Sequence, residues 1–180
     1  MDIRLVAAAG LAAALLVGVA VAGIVLGSAA SGPVASAPSR PAETGPVLLV
    51  PVAAPQAGSA RCAALSRVLP ATLANGNSPL RRRPLADPAP LAAAAWGGTT
   101  GDPVVLRCGI ERPPELTRTS ELLGVSGVQW FRVAGDASAT WYAVDRATTI
   151  ALTLPDGLNT GPIQDVSTAI STAIPAVPVF

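Results

Sequence analysis

Cys62 and Cys108 are the two cysteines of this chain, and their chemistry is the easiest to assign. In an oxidising compartment they can join as a disulfide, here across 46 positions of sequence. The chain-entropy model gives such a crosslink about 4 kcal/mol, which strain in the folded state can reduce. Redox catalysis would more naturally use a Cys-x-x-Cys pair with a lowered thiol pKa. Two thiols without an imidazole or further ligands make a poor zinc site. The pair therefore predicts a structural bond, with no metal and no cofactor.

The other reactive side chains point less sharply. All 12 basic residues are arginine and histidine is absent, which removes Ser/His and Cys/His nucleophile pairs, imidazole bases and imidazole ligands. Carboxylates remain: Glu111, Glu115, Glu121, Asp136 and Asp145 could supply the acid and base of a glycoside hydrolase, which needs two of them facing one cleft. Asp145, followed by Arg146, reads more simply as a turn ion pair. Arg81, Arg82 and Arg83 form the densest charge cluster, suited to phosphate, anionic lipid or acidic envelope polymers, with solvated arginines as the plainer reading. Trp96, Trp130 and Trp141 each offer a flat apolar face and an N–H donor for a sugar or peptide, against a default role in the core. A net charge of +1 creates no field that would attract nucleic acid.

These residues must be positioned by a domain that fits in what the termini leave. Residues 5–26 carry no charge, and as a helix of about 33 Å they would cross a bilayer core of about 30 Å. The length favours an uncleaved anchor over a signal peptide, although Ser28, Ala29 and Ala30 offer a cleavage site that would release the domain. Arg4 weakly places the N-terminus in the cytoplasm. Residues 28–45 are small and rich in proline, with no apolar periodicity, and read as a flexible linker. The expected organisation is thus a signal-anchor over 1–27, a linker over 28–45 and an extracytoplasmic domain over 46–180.

Within that domain, residues 47–52 read as an edge strand, since Pro51 cannot donate in a central ladder. Cys62, Leu65 and Val68 have helical spacing, with Ser59 as N-cap and Pro70 as stop, so 58–69 reads as a helix. Strands are expected at 80–85, 91–96 and 104–108, then at 128–133, 140–144 and 149–154, the last three as an antiparallel meander. On two of these, Trp130-Phe131 and Trp141-Tyr142 are placed to form a cross-strand aromatic pair. Ile163, Val166, Ile170 and Ile174 form the stripe of a second helix. The expected fold class is α+β: an N-terminal transmembrane helix, then a small mainly antiparallel sheet with two helices on one face.

One family shares this order of features: a helix bearing Cys62, then Ala95-Trp96-Gly97, Leu106-Arg107-Cys108-Gly109, Gly127-Val128-Gln129-Trp130-Phe131, Asp145-Arg146 and Leu154-Pro155. The chain resembles the actinobacterial family called domain of unknown function 3515, secreted or membrane proteins without an assigned activity. The resemblance covers nearly everything after the linker. It implies an actinobacterial envelope location and the Cys62–Cys108 pairing, and it transfers no catalytic residue.

Three functions follow as expectations. The first is a noncatalytic, membrane-tethered interaction or accessory domain of the cell envelope, with an envelope protein as partner. The second is a binding module for a cell-wall glycan or lipid, through the tryptophans or the arginine cluster. The third is a carboxylate-dependent envelope hydrolase.

Overall fold

Ser59 begins the first helix by accepting the Cys62 N–H on its hydroxyl at 3.3 Å. The computed structural model describes residues 45–97 and 101–180, and this helix, α1, spans Ala60–Val68. It stops before Pro70, where the Leu69 N–H closes the last turn on the Leu65 carbonyl. Cys62 and Leu65 are its buried residues. The second helix, α2 (Gly161–Ala173), starts with Pro162 in its first turn, where a missing N–H costs no hydrogen bond. Its stripe of Ile163, Val166 and Ile170, continued by Ile174 at the C-cap, is buried as the spacing predicts.

Eight strands make up the rest: β1 (Thr72–Leu73), β2 (Leu80–Arg83), β3 (Ala93–Gly97), β4 (Val104–Ile110), β5 (Leu123–Val125), β6 (Val128–Ala134), β7 (Ser138–Ala143) and β8 (Thr149–Pro155). They form one sheet in the order β1-β2-β3-β4-β8-β7-β6-β5, antiparallel at every pairing. The first four strands build a meander, the chain then passes to the far edge, and the last four return until β8 pairs with β4. The expected meander of the last three strands is present, with Trp130 opposite Ala143 and Trp141 opposite Leu152.

The expected fold class requires correction. An α+β domain behind a transmembrane helix, with a small sheet, is replaced by a fold dominated by an eight-stranded antiparallel sheet with two helices. Among the described residues no helix is long and apolar enough to cross a membrane. The expected anchor, 1–27, and the linker up to residue 44 lie outside the described residues. The sheet is larger than expected because β1 and β5 have only two and three residues, too few for a period-two pattern to show. Residues 47–52 form no strand. Val47 makes one isolated parallel bridge to Leu85, and the flanking Pro46 and Pro51 have no N–H to extend it.

Side-chain alternation places one core between the sheet and the helices. Cys108, Ile150, Ala143 and Trp130 form a buried row across β4, β8, β7 and β6, joined by Cys62 and Leu65 from α1 and by Val166 and Ile170 from α2. The Cys62–Cys108 disulfide ties α1 to β4 within this core, with 5.6 Å between the Cα atoms. On the opposite face Val47 and Leu49 pack on Ala95, with Ala93 and Val105 alongside. Arg83 and Arg107 hold that segment by donating to the carbonyls of Gly45 at 2.6 Å and Val50 at 2.9 Å.

Candidate functional site

One row of the helix-facing surface runs Ala94, Leu106, Leu152, Trp141, Arg132 by direct cross-strand pairing. The first three are buried, Trp141 is half-buried and Arg132 is exposed, so cover by the helices ends along this row. What remains is a groove of about 490 Å³ between the first turn of α2, the β8–α2 loop and the edge strand β5. That volume lies within the usual range for small-molecule sites. Trp141, Leu154, Leu158 and Ile163 give it apolar walls, with Leu123 and Val125 from β5. Arg132, Asp156, Asn159 and Gln164 add polar groups.

The Arg132 guanidinium lies 5.8 Å from the centre of the Trp141 ring, within range of the attraction between a cation and an aromatic face. The groove therefore combines a flat ring, branched aliphatic walls and both signs of charge. That composition suits binding through an apolar body with a few oriented polar contacts. Asp156 is the one carboxylate among its lining residues, whereas acid–base glycoside cleavage needs two.

A family model described as Protein of unknown function (DUF3515) matches residues 9–179. The chain belongs to that family. No curated protein and no solved structure matches it.

In this DUF3515 protein the three tryptophans divide. Trp96 and Trp130 are both 0 % exposed, and each indole N–H is bonded at 2.9 Å, to the Pro70 carbonyl and the Ser167 hydroxyl respectively. Trp141 alone lines the groove. The aromatic pair that the sequence suggested across two strands consists of Phe131 and Tyr142, on the opposite face of the sheet.

The arginine cluster is divided by strand alternation. Arg82 lies 5.2 Å from the centre of the Trp96 ring, and burial lowers its pKa. Arg83 holds Gly45, and Arg81 is exposed on the same face as Arg83. None of the three lines the groove. Of the five carboxylates, Glu111 and Glu115 line one cavity of about 250 Å³ with Tyr142. Asp145 instead forms a buried ion pair with Arg146 at 2.8 Å. Among the described residues no group of three or more Cys, Asp or Glu side chains could hold a metal ion.

Sequence reasoning missed Arg132, Leu154, Leu158 and Ile163 as neighbours of Trp141. They come from β6, β8, the following loop and α2. The available signal was Arg132 itself, a charge set between Trp130 and Trp141 in an otherwise apolar alternation.

Proposed function

We propose that this chain is a noncatalytic protein of the bacterial cell envelope whose sheet domain binds an envelope ligand in the groove beside Trp141. The half-buried ring of Trp141, facing aliphatic walls with Arg132 beside it, carries this reading. Glycans and lipids both present apolar faces that stack on an indole, together with oxygen acceptors for an arginine. The disulfide supports work in an oxidising compartment. The uncharged run at 5–26 supports delivery across the cytoplasmic membrane, with the domain then either tethered to the outward face of that same membrane or released. The family resemblance supports an actinobacterial source.

A second reading is an interaction or accessory domain that takes a segment of an envelope protein in the same groove. The edge position of β5 favours it, because an extended peptide can add to an unpaired strand edge and place alternate side chains into an adjoining pocket.

The experiment is titration of the protein with cell-wall glycan fragments, anionic lipid micelles and envelope proteins, followed by tryptophan fluorescence and repeated with Trp141→Ala. Saturable binding lost in Trp141→Ala supports the groove, and the class of titrant decides between the two readings. Silence to all three classes, or binding unaffected by Trp141→Ala, overturns it.

A further inference from the structure

Away from the groove, the face of the sheet opposite the helices carries an apolar ridge that ligand binding beside Trp141 does not use. Val47 and Leu49 are buried against Ala95, so the residues that alternate with them in the 47–52 segment point outward. Leu48 and Val50 are 77 % and 74 % exposed, the two most exposed large apolar side chains among the described residues, and Val52 follows at 55 %. Single exposed aliphatics are ordinary, but three in alternation along one segment form a continuous apolar line.

Arginines border this ridge. Arg83 pairs opposite Ala95 and Arg107 opposite Ala93, which puts both on the ridge side of the sheet, and alternation adds the exposed Arg81, opposite Gly97. Arg83 and Arg107 donate to the carbonyls of Gly45 and Val50 and so fix the ridge in place. Among the described residues no strand carries an acidic side chain. Glu111 and Glu115 approach the Val52 end, where they share a cavity wall with it. Aliphatic side chains bordered by guanidinium groups match the boundary of an anionic bilayer, apolar beneath and negatively charged at the headgroups.

The covalent path selects that partner. Residues 27–44 join the uncharged run at 5–26 to Gly45, where Arg83 takes hold, and these 18 residues reach at most about 65 Å when fully extended. A chain leaving the membrane thus enters the domain at the ridge, and turning the ridge toward the bilayer needs the shortest reach of any orientation. We propose that the 47–52 ridge seats on the outward surface of an anionic membrane, with Leu48, Val50 and Val52 at the boundary of headgroups and acyl chains and Arg81, Arg83 and Arg107 beside lipid phosphates. This seating depends on the tethered form of the proposed function, and it leaves the groove beside Trp141, on the other face of the sheet, clear of the lipid.

The test reconstitutes the full-length protein in vesicles rich in phosphatidylglycerol, with a nitroxide spin label at Val50→Cys or, on the helix side, at the exposed Thr168→Cys of α2. Cys62 and Cys108 are bonded to each other and take no label. Flotation of the vesicles reports the tether. Collision of the label with oxygen, which concentrates in lipid, against collision with a water-soluble nickel chelate reports the ridge. The expected oxygen-to-nickel ratio is severalfold higher at position 50 than at position 168. It should fall when Leu48→Gln and Val52→Gln are added, and when zwitterionic phosphatidylcholine replaces the anionic lipid. Equal ratios at the two positions in protein that floats would overturn the proposal and leave the tether intact. A label at position 50 shielded from both reagents would overturn it in favour of a second copy of the chain on the ridge. Failure to float would remove the tether and the seating together, without bearing on ligand binding beside Trp141.

Discussion

The indole N–H of Trp130 donates to Ser167 Oγ at 2.9 Å inside the core, and that hydroxyl donates in turn to the Ile163 carbonyl at 2.6 Å. This relay joins β6 to α2, and both residues are fully buried. Removing the hydroxyl leaves the indole N–H without its acceptor, a loss that costs about 1–3 kcal/mol. Ser167→Ala should therefore lower the urea midpoint with little change in the slope of the transition. A midpoint equal to wild type would show that the indole finds another acceptor.

Tyr142 offers a clean titration because it is the one tyrosine in the chain. Its pKa lies above the ordinary 10.0, first because burial disfavours the phenolate and second because of the Glu115 charge. The unfolded chain releases this proton first, near pH 10. The stability it contributes is therefore complete below that pH and is lost as pH rises through the folded pKa. Phenolate absorbance of the folded protein should show a midpoint above 10. Glu115→Gln should lower that midpoint part of the way, leaving the larger effect of burial. A midpoint at or below 10 in the wild type would remove Tyr142 from its half-buried place on the sheet.

Much of this fold is legible in the sequence, for particular reasons. Ser59 and Pro70 bracket α1, the isoleucine and valine stripe marks α2, and strands β4, β6, β7 and β8 are long enough to reveal themselves. β1 and β5 are too short, and they enter the sheet through neighbours rather than through a pattern of their own. The tryptophans carry equal weight in sequence. Their difference arises because the helices cover the rows containing Trp96 and Trp130 and leave Trp141 at the margin of cover. The groove depends on residues from four separate elements, which local patterning does not bring together. Asp145 and Arg146 are legible as a pair, but their burial is set by Gly127, Ser171 and the chain beyond α2.

That burial gives the pair a strong mutational signature. The Asp145 carboxylate lies 2.8 Å from Arg146 Nη1, with both side chains under 10 % exposed. Removing one partner leaves the other charge buried without compensation, at a cost of about 3–5 kcal/mol. Asp145→Ala should therefore lower the thermal midpoint far more than Ala substitution at the exposed Asp136. Equal midpoints for the two variants would mean that water reaches Arg146.

Gly109 sits beside Cys108 with φ +84°, in the left-handed region, and interrupts the register between β4 and β8. Its carbonyl accepts the Gln56 N–H at 3.0 Å, and a Cβ built on it would run into the backbone of Gln56 and Ala57. The opposing segment has little freedom to withdraw, because the Gln56 carbonyl accepts the Ser59 N–H at 2.9 Å and Ser59 caps the helix that the disulfide fixes to β4. Two penalties then act together: about 1–2 kcal/mol for an L residue in the left-handed conformation, and displacement of a bonded backbone. Gly109→Ala should cost more than the conformational penalty alone. Gly157→Ala, also at positive φ but with open space around its Cβ, should cost only that penalty. Chemical denaturation of the two variants side by side measures the difference, and equal losses would show that the 56–57 segment moves aside freely.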